Sequence, residues 1–563
     1  MRQSYIFSLL AIIQPIASQQ IWDIWQTTWD RSKLLTSLAP SSPINFVAPG
    51  ANGDANIVVS DSQLFQTIAG FGATLTDSSA LVLNNLKSRN AGNYNNLLNY
   101  MFNSADGANA AGLNYIRVAI GASDFSAGAY SLADTSGDTS FNSFNINRAP
   151  SYLFSVLQDI KGVNGQIKVH LVPWSPPAWM KDSGTMNGGS LKSQYVGNYA
   201  TYLLKAVQGF QSKGIPVYAI SIQNEPQNSN PTYPTCTMTP SIEGQIGTGL
   251  RTLLNNNGLS GVKVVGYEVP VSSILLDHRS NHVSLSAAQL EQRWLVPRPA
   301  GTTPAFLSIR QDNLVFQMQN AGNSFSGVAF HCYEGSVSGQ DTFHNAYPSK
   351  EIYFTECTGT IGSDWWSDIK WYMDNLWIGS IERNSRSGLM WNLALDGNGN
   401  PKFPGTNSCG NGCRPLVTVN SDGSYSFNQE FYSMAQASKA IIPKDAGGPY
   451  GQRIGVAVQG NLGWALRVSA FVTKRVSSSD WLRYSLVVLN WYDNASSSWN
   501  PTPVRTTIAF RGAQATYTFP VGVTTLWWFA PATGSGFTDG VFRFNATTTR
   551  PQNATSFNIT SED

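Results

Sequence analysis

From residue 69 to about 395 the chain alternates short apolar runs with longer stretches of helical period. The runs are AGFGATL (69–75), LNYIRVAI (113–120), QIKVHLVPW (166–174), PVYAISIQNE (216–225), VKVVGYE (262–268), GVAFHCY (327–333), EIYFTEC (351–357) and GLMWNLAL (388–395). Between them, APSYLFSVLQDI (149–160) and SQYVGNYATYLLKAVQGF (193–210) repeat apolar residues at steps of three and four, as a helix with one buried face requires. Eight apolar strands joined by helical crossovers predict a (β/α)8 barrel rather than a doubly wound sheet. After about 440 the period changes. QRIGVAVQG, GWALRVSAFV, RYSLVVLNWYD, VRTTIAF and ATYTFPVGVTTLWWF are strands separated by turn residues, which predicts an all-β sandwich. INFVAPGANGDANIVVS (44–60) is strand-like too and is expected to join that sandwich. The expected plan is an N-terminal segment at 19–66, a barrel at 67–435, a sandwich at 436–535 and a Ser/Thr-rich tail at 536–563.

Composition narrows the partner. The net charge is +2 and only 12% of residues are charged, so the chain carries no field suited to nucleic acid or an anionic membrane. Aromatic residues make up 12%, with 17 Trp among them. Such a surface suits neutral sugars, although a large aromatic core explains the same numbers. MRQSYIFSLLAIIQPIASQQ has the basic start, apolar run and small residues of a secretory leader, cut near Ser18 and too short to span a membrane. Sequons at Asn494, Asn545, Asn553 and Asn558 agree with a secreted glycoprotein. Of five cysteines, Cys409 and Cys413 lie in a Gly-rich loop where a short disulfide is plausible. The His and Cys residues lack metal-site spacing, so neither a metal nor another cofactor is expected. A monomer is expected.

The chemistry sits at the strand ends, where a parallel barrel presents its catalytic side chains. Glu225 closes the fourth run and Glu356 the seventh, and strands four and seven face each other across a barrel mouth. Two facing carboxylates suit glycoside hydrolysis; retention of configuration needs them about 5–5.5 Å apart. Alternatively, each Glu caps a strand or pairs with an Arg. Arg117 and Asp124, in RVAIGASDFS, can hold the charge and orientation of such a pair, or form a structural ion pair at the rim. Trp174, Trp179 and Trp391 offer aromatic platforms for a sugar ring, or core packing. In AFHCYEG, His331 and Tyr333 alternate toward the mouth while Cys332 points away; a core histidine is the plainer reading of His331.

AGFGATLTDSSA, RVAIGASDFS, VPWSPPAWMK, ISIQNEPQ, FHCYEG, YFTECTG and MWNLALDGNGNP occur in an order that resembles glycoside hydrolase family 30, over roughly 40–535. The resemblance implies a retaining mechanism with Glu225 as acid/base and Glu356 as nucleophile. It implies that Asn224 hydrogen-bonds the sugar 2-OH and that Asp124, Trp179, His331 and Trp391 shape the subsite around the ring under attack. The branch it resembles most is the fungal β-1,6-glucanases. A β-glycosylceramidase, an endo-β-1,6-galactanase and an inactive carbohydrate-binding protein are the alternatives. Proximity of the two carboxylates is expected to raise the pKa of one of them, so that Glu225 starts protonated. One stretch departs from the family pattern. After VVGYE a short His-Asn-Trp-Asp stretch is missing, and residues 269–311 stand in its place. They begin with Val, whose codons start GT, and end with Gln, whose codons can end AG. A translated intron is the reading; a loop insertion at the mouth is the alternative.

Overall fold

Each of the eight apolar runs supplies one stave of a closed parallel barrel. The staves are β1 (Gly70–Thr74), β2 (Tyr115–Ile120), β3 (Lys168–Pro173), β4 (Val217–Ser221), β5 (Lys263–Pro270), β6 (Gly327–His331), β7 (Glu351–Glu356) and β8 (Ser385–Met390). This computed structural model describes residues 19–270, 321–410, 412–494 and 498–532. Neighbouring staves pair in sequence order, and β8 closes on β1 through Ser387–Gly70 and Met390–Ala73. The barrel is filled by a layer that includes Tyr115, Ala219, Val265, Ala329, Tyr353 and Leu389. Outside, the helices bury an apolar stripe against the staves; Ser151–Val163 and Val196–Ser212 are the two expected from sequence.

The eighth stave starts three residues before the apolar run that predicts it. Asn392 turns the chain with a φ of 62°, and Ala394–Leu395 leaves the barrel to pair with Val417–Val419. Gly388 in β8 has to be small, because a Cβ there would stand 2.6 Å from the indole ring of Trp377. The backbone of β5 runs on to Pro270. The remainder of the atypical 269–311 stretch, the leader at 1–18, the tail and Asn545, Asn553 and Asn558 lie outside the described residues.

The β domain is one continuous ten-stranded sheet. Four of its strands, Gln20–Thr28, Thr36–Ser37, Ile44–Asn45 and Ala55–Thr67, come from before the barrel, and six between Gln452 and Ala530 come from after it. The layers of the expected sandwich arise because this sheet curls on itself. Pairing of Ala55–Thr67 with Gln452–Gln459 slips register at two points, which bends the ribbon. Phe46, Tyr484, Phe510 and Trp528 then meet inside the curl. The opposite face of the sheet, with Trp25, Phe471, Val487, Leu489 and Trp527, belongs to the same apolar cluster as the barrel helices. Helix Gln429–Ile441 is buried along its whole length within that cluster. Among the described residues no helix is long and apolar enough to cross a membrane.

Candidate active site

The regular strand β4 ends at Ser221, four residues short of Glu225. The intervening chain is nevertheless pinned on both sides: the Asn224 N–H donates to Pro173 O of β3, and the Glu225 N–H to Glu268 O of β5, both at 2.9 Å. Glu225 itself takes a φ of +42°, a left-handed conformation that costs a non-glycine residue about 1–3 kcal/mol and concentrates at functional sites. Strand pinning and this turn aim its carboxylate into the mouth.

Five charged groups from five staves meet there. Arg117 on β2 is fully buried; its Nη1 donates to Glu356 Oε2 at 2.5 Å, and its Nη2 to Asn224 Oδ1 at 2.6 Å and to Glu268 Oε2. His331 lies between two carboxylates, with Nδ1 3.2 Å from Glu225 Oε1 and Nε2 3.4 Å from Glu268 Oε2. Ionised carboxylates only accept hydrogen bonds, so an imidazole facing them from both nitrogens is an imidazolium. Burial disfavours that charge, but Glu356, Glu225 and Glu268 outweigh it and lift the His331 pKa to about 9. Burial also pushes the Glu225 carboxyl up; the hydrogen bond and charge of His331, with Asn228 and Arg117, pull harder and hold it below its ordinary value. This corrects the expectation that repulsion from Glu356 keeps a proton on Glu225.

Oxygens of Glu225 and Glu356 lie within 4.8 Å of each other. Tyr333 donates to Glu356 Oε1 at 2.8 Å, and Asn228 to Glu225 Oε2 at 3.0 Å. A disulfide between Cys332 and Cys357 joins the residue after His331 to the residue after Glu356, fixing the ends of β6 and β7 together. Cys409 and Cys413 are bonded as well, and Cys236 is free and buried. Asp124 is buried, accepts from Ser408 Oγ at 2.5 Å and leaves Oδ1 without a partner among the described residues. Burial, reinforced by the charge of Glu356, pushes its carboxyl up to about 7.

Trp174 and Trp391 differ from the expected open platforms. Each is only 2% exposed; they stack on one another with centroids 5.0 Å apart, and the Arg117 guanidinium lies 4.8 Å over Trp174. Trp179 is tied to the rim, its indole N–H donating to Ala133 O at 2.9 Å and its ring edge-on to Tyr195. By distance, Glu225, His331 and Glu356 could share a cation. They fit one poorly: both imidazole nitrogens are turned to carboxylates, and Arg117 already neutralises Glu356.

The sequence model of the glycosyl hydrolase family 30 TIM-barrel domain matches residues 68–245. An endo-1,6-beta-D-glucanase of Neurospora crassa is 33% identical over 411 residues, covering 69% of this chain and 74% of the relative. The chain belongs to glycosyl hydrolase family 30. Endo-1,6-beta-D-glucanase BGN16.3 of Trichoderma harzianum is 29% identical over 423 residues, 72% of this chain and 76% of its own. Among solved structures, the endo-beta1,6-glucanase BT3312 superposes with a TM-score of 0.71 at 23% identity, over 92% of this chain and all of its own; at that identity the likeness speaks to the fold alone.

For this family-30 hydrolase the sequence reading overlooks Glu268, which is wholly buried at the hub of the charge cluster. A signal was present, since the fifth apolar run ends in Glu268 as the fourth ends in Glu225, and the seventh carries Glu356 one residue before its end. Beneath Glu268 lies a chain of directed donors. Ser221 Oγ donates to Glu268 Oε1 at 2.5 Å, and His170 Nε2 lies 2.8 Å from Ser221 Oγ. Because the serine proton goes to Glu268, His170 donates from Nε2 and accepts from Tyr115 OH, 3.1 Å from its Nδ1. Burial holds the His170 pKa down at about 4, consistent with this neutral tautomer.

Proposed function

We propose that this chain hydrolyses β-1,6-linked glucan with retention of configuration, Glu356 acting as nucleophile and Glu225 as acid/base. The observation that carries the reading is that one oxygen of Glu225 and one of Glu356 lie within 4.8 Å, a closeness that suits the covalent double displacement better than the wider gap of an inverting pair. The linkage is supported by the names of the relatives. Arg117 and Tyr333 hold the Glu356 carboxylate by hydrogen bonds to its two oxygens and aim it at the anomeric carbon. As Glu356 bonds to the sugar its negative charge disappears, and with it the strongest interaction that keeps the proton on His331. The proton then passes from Nδ1 to Glu225, and from Glu225 to the departing glycosidic oxygen. In the second step Glu225 takes a proton from water, the hydroxide displaces Glu356, and the proton returns to His331. Asn224 turns Oδ1 to Arg117, so its amide N–H2 is the end left to donate to the sugar 2-OH. Asp124, with Oδ1 unpartnered, receives a second ring hydroxyl, Trp179 walls the ring, and the stacked Trp174 and Trp391 back the site from behind Arg117. The apolar N-terminal run and the sequon at Asn494 support secretion.

Product analysis on pustulan, arabinogalactan and glucosylceramide tests the substrate, with NMR of the first product reading its anomeric form. Release of β-configured gluco-oligosaccharides from pustulan is expected, and Glu356→Gln and Glu225→Gln each abolish most turnover. Preferential cleavage of either other substrate, or an α-configured first product, overturns the reading.

A further inference from the structure

The β domain carries a row of aromatic rings that the reaction does not use. At one end of the sheet the adjacent strands finish side by side: Thr28 pairs with Gly522, Gly522 with Asn490, and Asn490 with Leu466. The residues just beyond these ends are therefore neighbours in the same order. Trp29 donates its N–H to Val521 O, and Trp491 its N–H to Ala465 O, so Trp29, Trp491 and Trp464 lie along one rim. Three strand spacings separate the outer two, roughly 14 Å at about 4.8 Å each.

Both ends of the row are paired and open. Trp464 is 57% exposed and meets Tyr492 edge-on with centroids 5.0 Å apart; Trp499 is 53% exposed and meets Trp29 edge-on at 4.9 Å. An edge-on contact holds a ring upright and leaves a face to solvent. Isolated exposed aromatics are ordinary, but two braced pairs on one rim form a surface. The Asp493 carboxylate beneath it is paired, accepting from Lys370 at 2.6 Å and from the Trp366 indole N–H. Asn494, two residues after Tyr492, bridges Asn500, which follows Trp499. Aromatic and amide-bearing, the rim has the chemistry of a polysaccharide platform, on which C–H faces of sugar rings meet the electron-rich ring faces. Its position points the same way. Trp365 and Trp366 open the helix that follows β7, and that helix begins on the mouth side of the barrel; Arg31 stacks on Trp365 and Asp493 binds Trp366.

We propose that Trp464, Trp499, Trp29 and Tyr492 form a second glycan-binding surface, which takes a neutral β-glucan chain on the mouth side of the enzyme. The inference rests on the proposed polysaccharide substrate. The test measures co-sedimentation with insoluble pustulan particles and, separately, hydrolysis of a soluble β-1,6-linked glucotetraose. All arms carry Asn494→Gln, so that an attached glycan cannot occupy the rings, and the binding arms also carry Glu356→Gln to stop turnover. The double variant Trp464→Ala/Trp499→Ala is expected to lose at least about fivefold in particle affinity while keeping kcat/KM on the tetrasaccharide within about twofold. Unchanged sedimentation of the double variant overturns the inference, as does an equal loss on both substrates. A parent chain that sediments but cleaves no glucan overturns the proposed reaction and leaves the binding surface standing.

Discussion

Glu268→Gln isolates the buried charge from its shape. The amide has the carboxylate's size, but removes the negative charge that faces Arg117 Nη2, His331 Nε2 and Ser221 Oγ. At an effective dielectric near 20, two charges 4 Å apart attract by about 4 kcal/mol. Part of that is offset, because the variant also relieves repulsion among three carboxylates and the burial of one of them. Breaking a buried pair typically costs about 3–5 kcal/mol, and that is the loss of stability expected. The effect on His331 is more diagnostic. Each pKa unit corresponds to about 1.4 kcal/mol, so losing one of its three carboxylate neighbours lowers His331 from about 9 by roughly 1–3 units. Since the proposed mechanism needs a proton on His331, the basic limb of the kcat/KM profile moves to lower pH by that amount. The assay is the pH–rate profile of parent and variant on a soluble β-1,6-linked oligosaccharide, with the imidazole proton shifts followed by NMR. A variant with the parental basic limb would refute the role given to His331, whatever happens to its stability.

Three further outcomes are expected. Asp124 has a folded-state pKa of about 7 against an ordinary 3.8, so the folded chain binds the extra proton and loses stability as pH rises from about 4 to 7; Tm measured against pH shows this decline in the parent and a smaller one in Asp124→Asn. His331, raised from 6.5 to about 9, contributes stability that is complete below about 6.5 and fades as pH passes 9, and His331→Gln removes that alkaline step from the same curve. Cys332→Ala/Cys357→Ala opens a loop of 25 residues, for which chain entropy predicts a loss of roughly 3–4 kcal/mol; urea unfolding of the reduced parent and of the double variant should agree, and a parental midpoint would count against the staple.

The barrel is legible because buried parallel strands are written as continuous apolar runs, and a count of eight selects a closed cylinder. Glu225 and Glu356 are legible because that cylinder aims strand ends at a single mouth. Glu268 carries the same signature but is recognisable only through Arg117, 151 positions away in sequence. The sign of the Glu225 shift is hidden for a similar reason: it depends on which groups touch His331, and alternation along β6 gives its direction but not its partners. Trp174 and Trp391 show another limit. Apolar pattern places both at the mouth, but whether a ring lies open or stacked on another ring is settled by packing between staves. Cys332 and Cys357 pair because β6 and β7 are adjacent, which the order of the runs implies and their spacing alone does not.

The helix at Gln429–Ile441 has a consequence for how the molecule can be taken apart. With every residue of it buried between staves and sheet, removing the strands from Gln452 onward would strip one flank of a thirteen-residue rod and expose to water the apolar surface that Phe471, Val487 and Trp527 cover. The catalytic half therefore has no independent melting transition to offer. Calorimetry of the intact chain should trace a single endotherm, and an expressed barrel ending before Gln452 should be recovered as aggregate. Nature and the engineer face the same constraint: the two lobes can diverge in sequence, but neither can be exchanged without its partner.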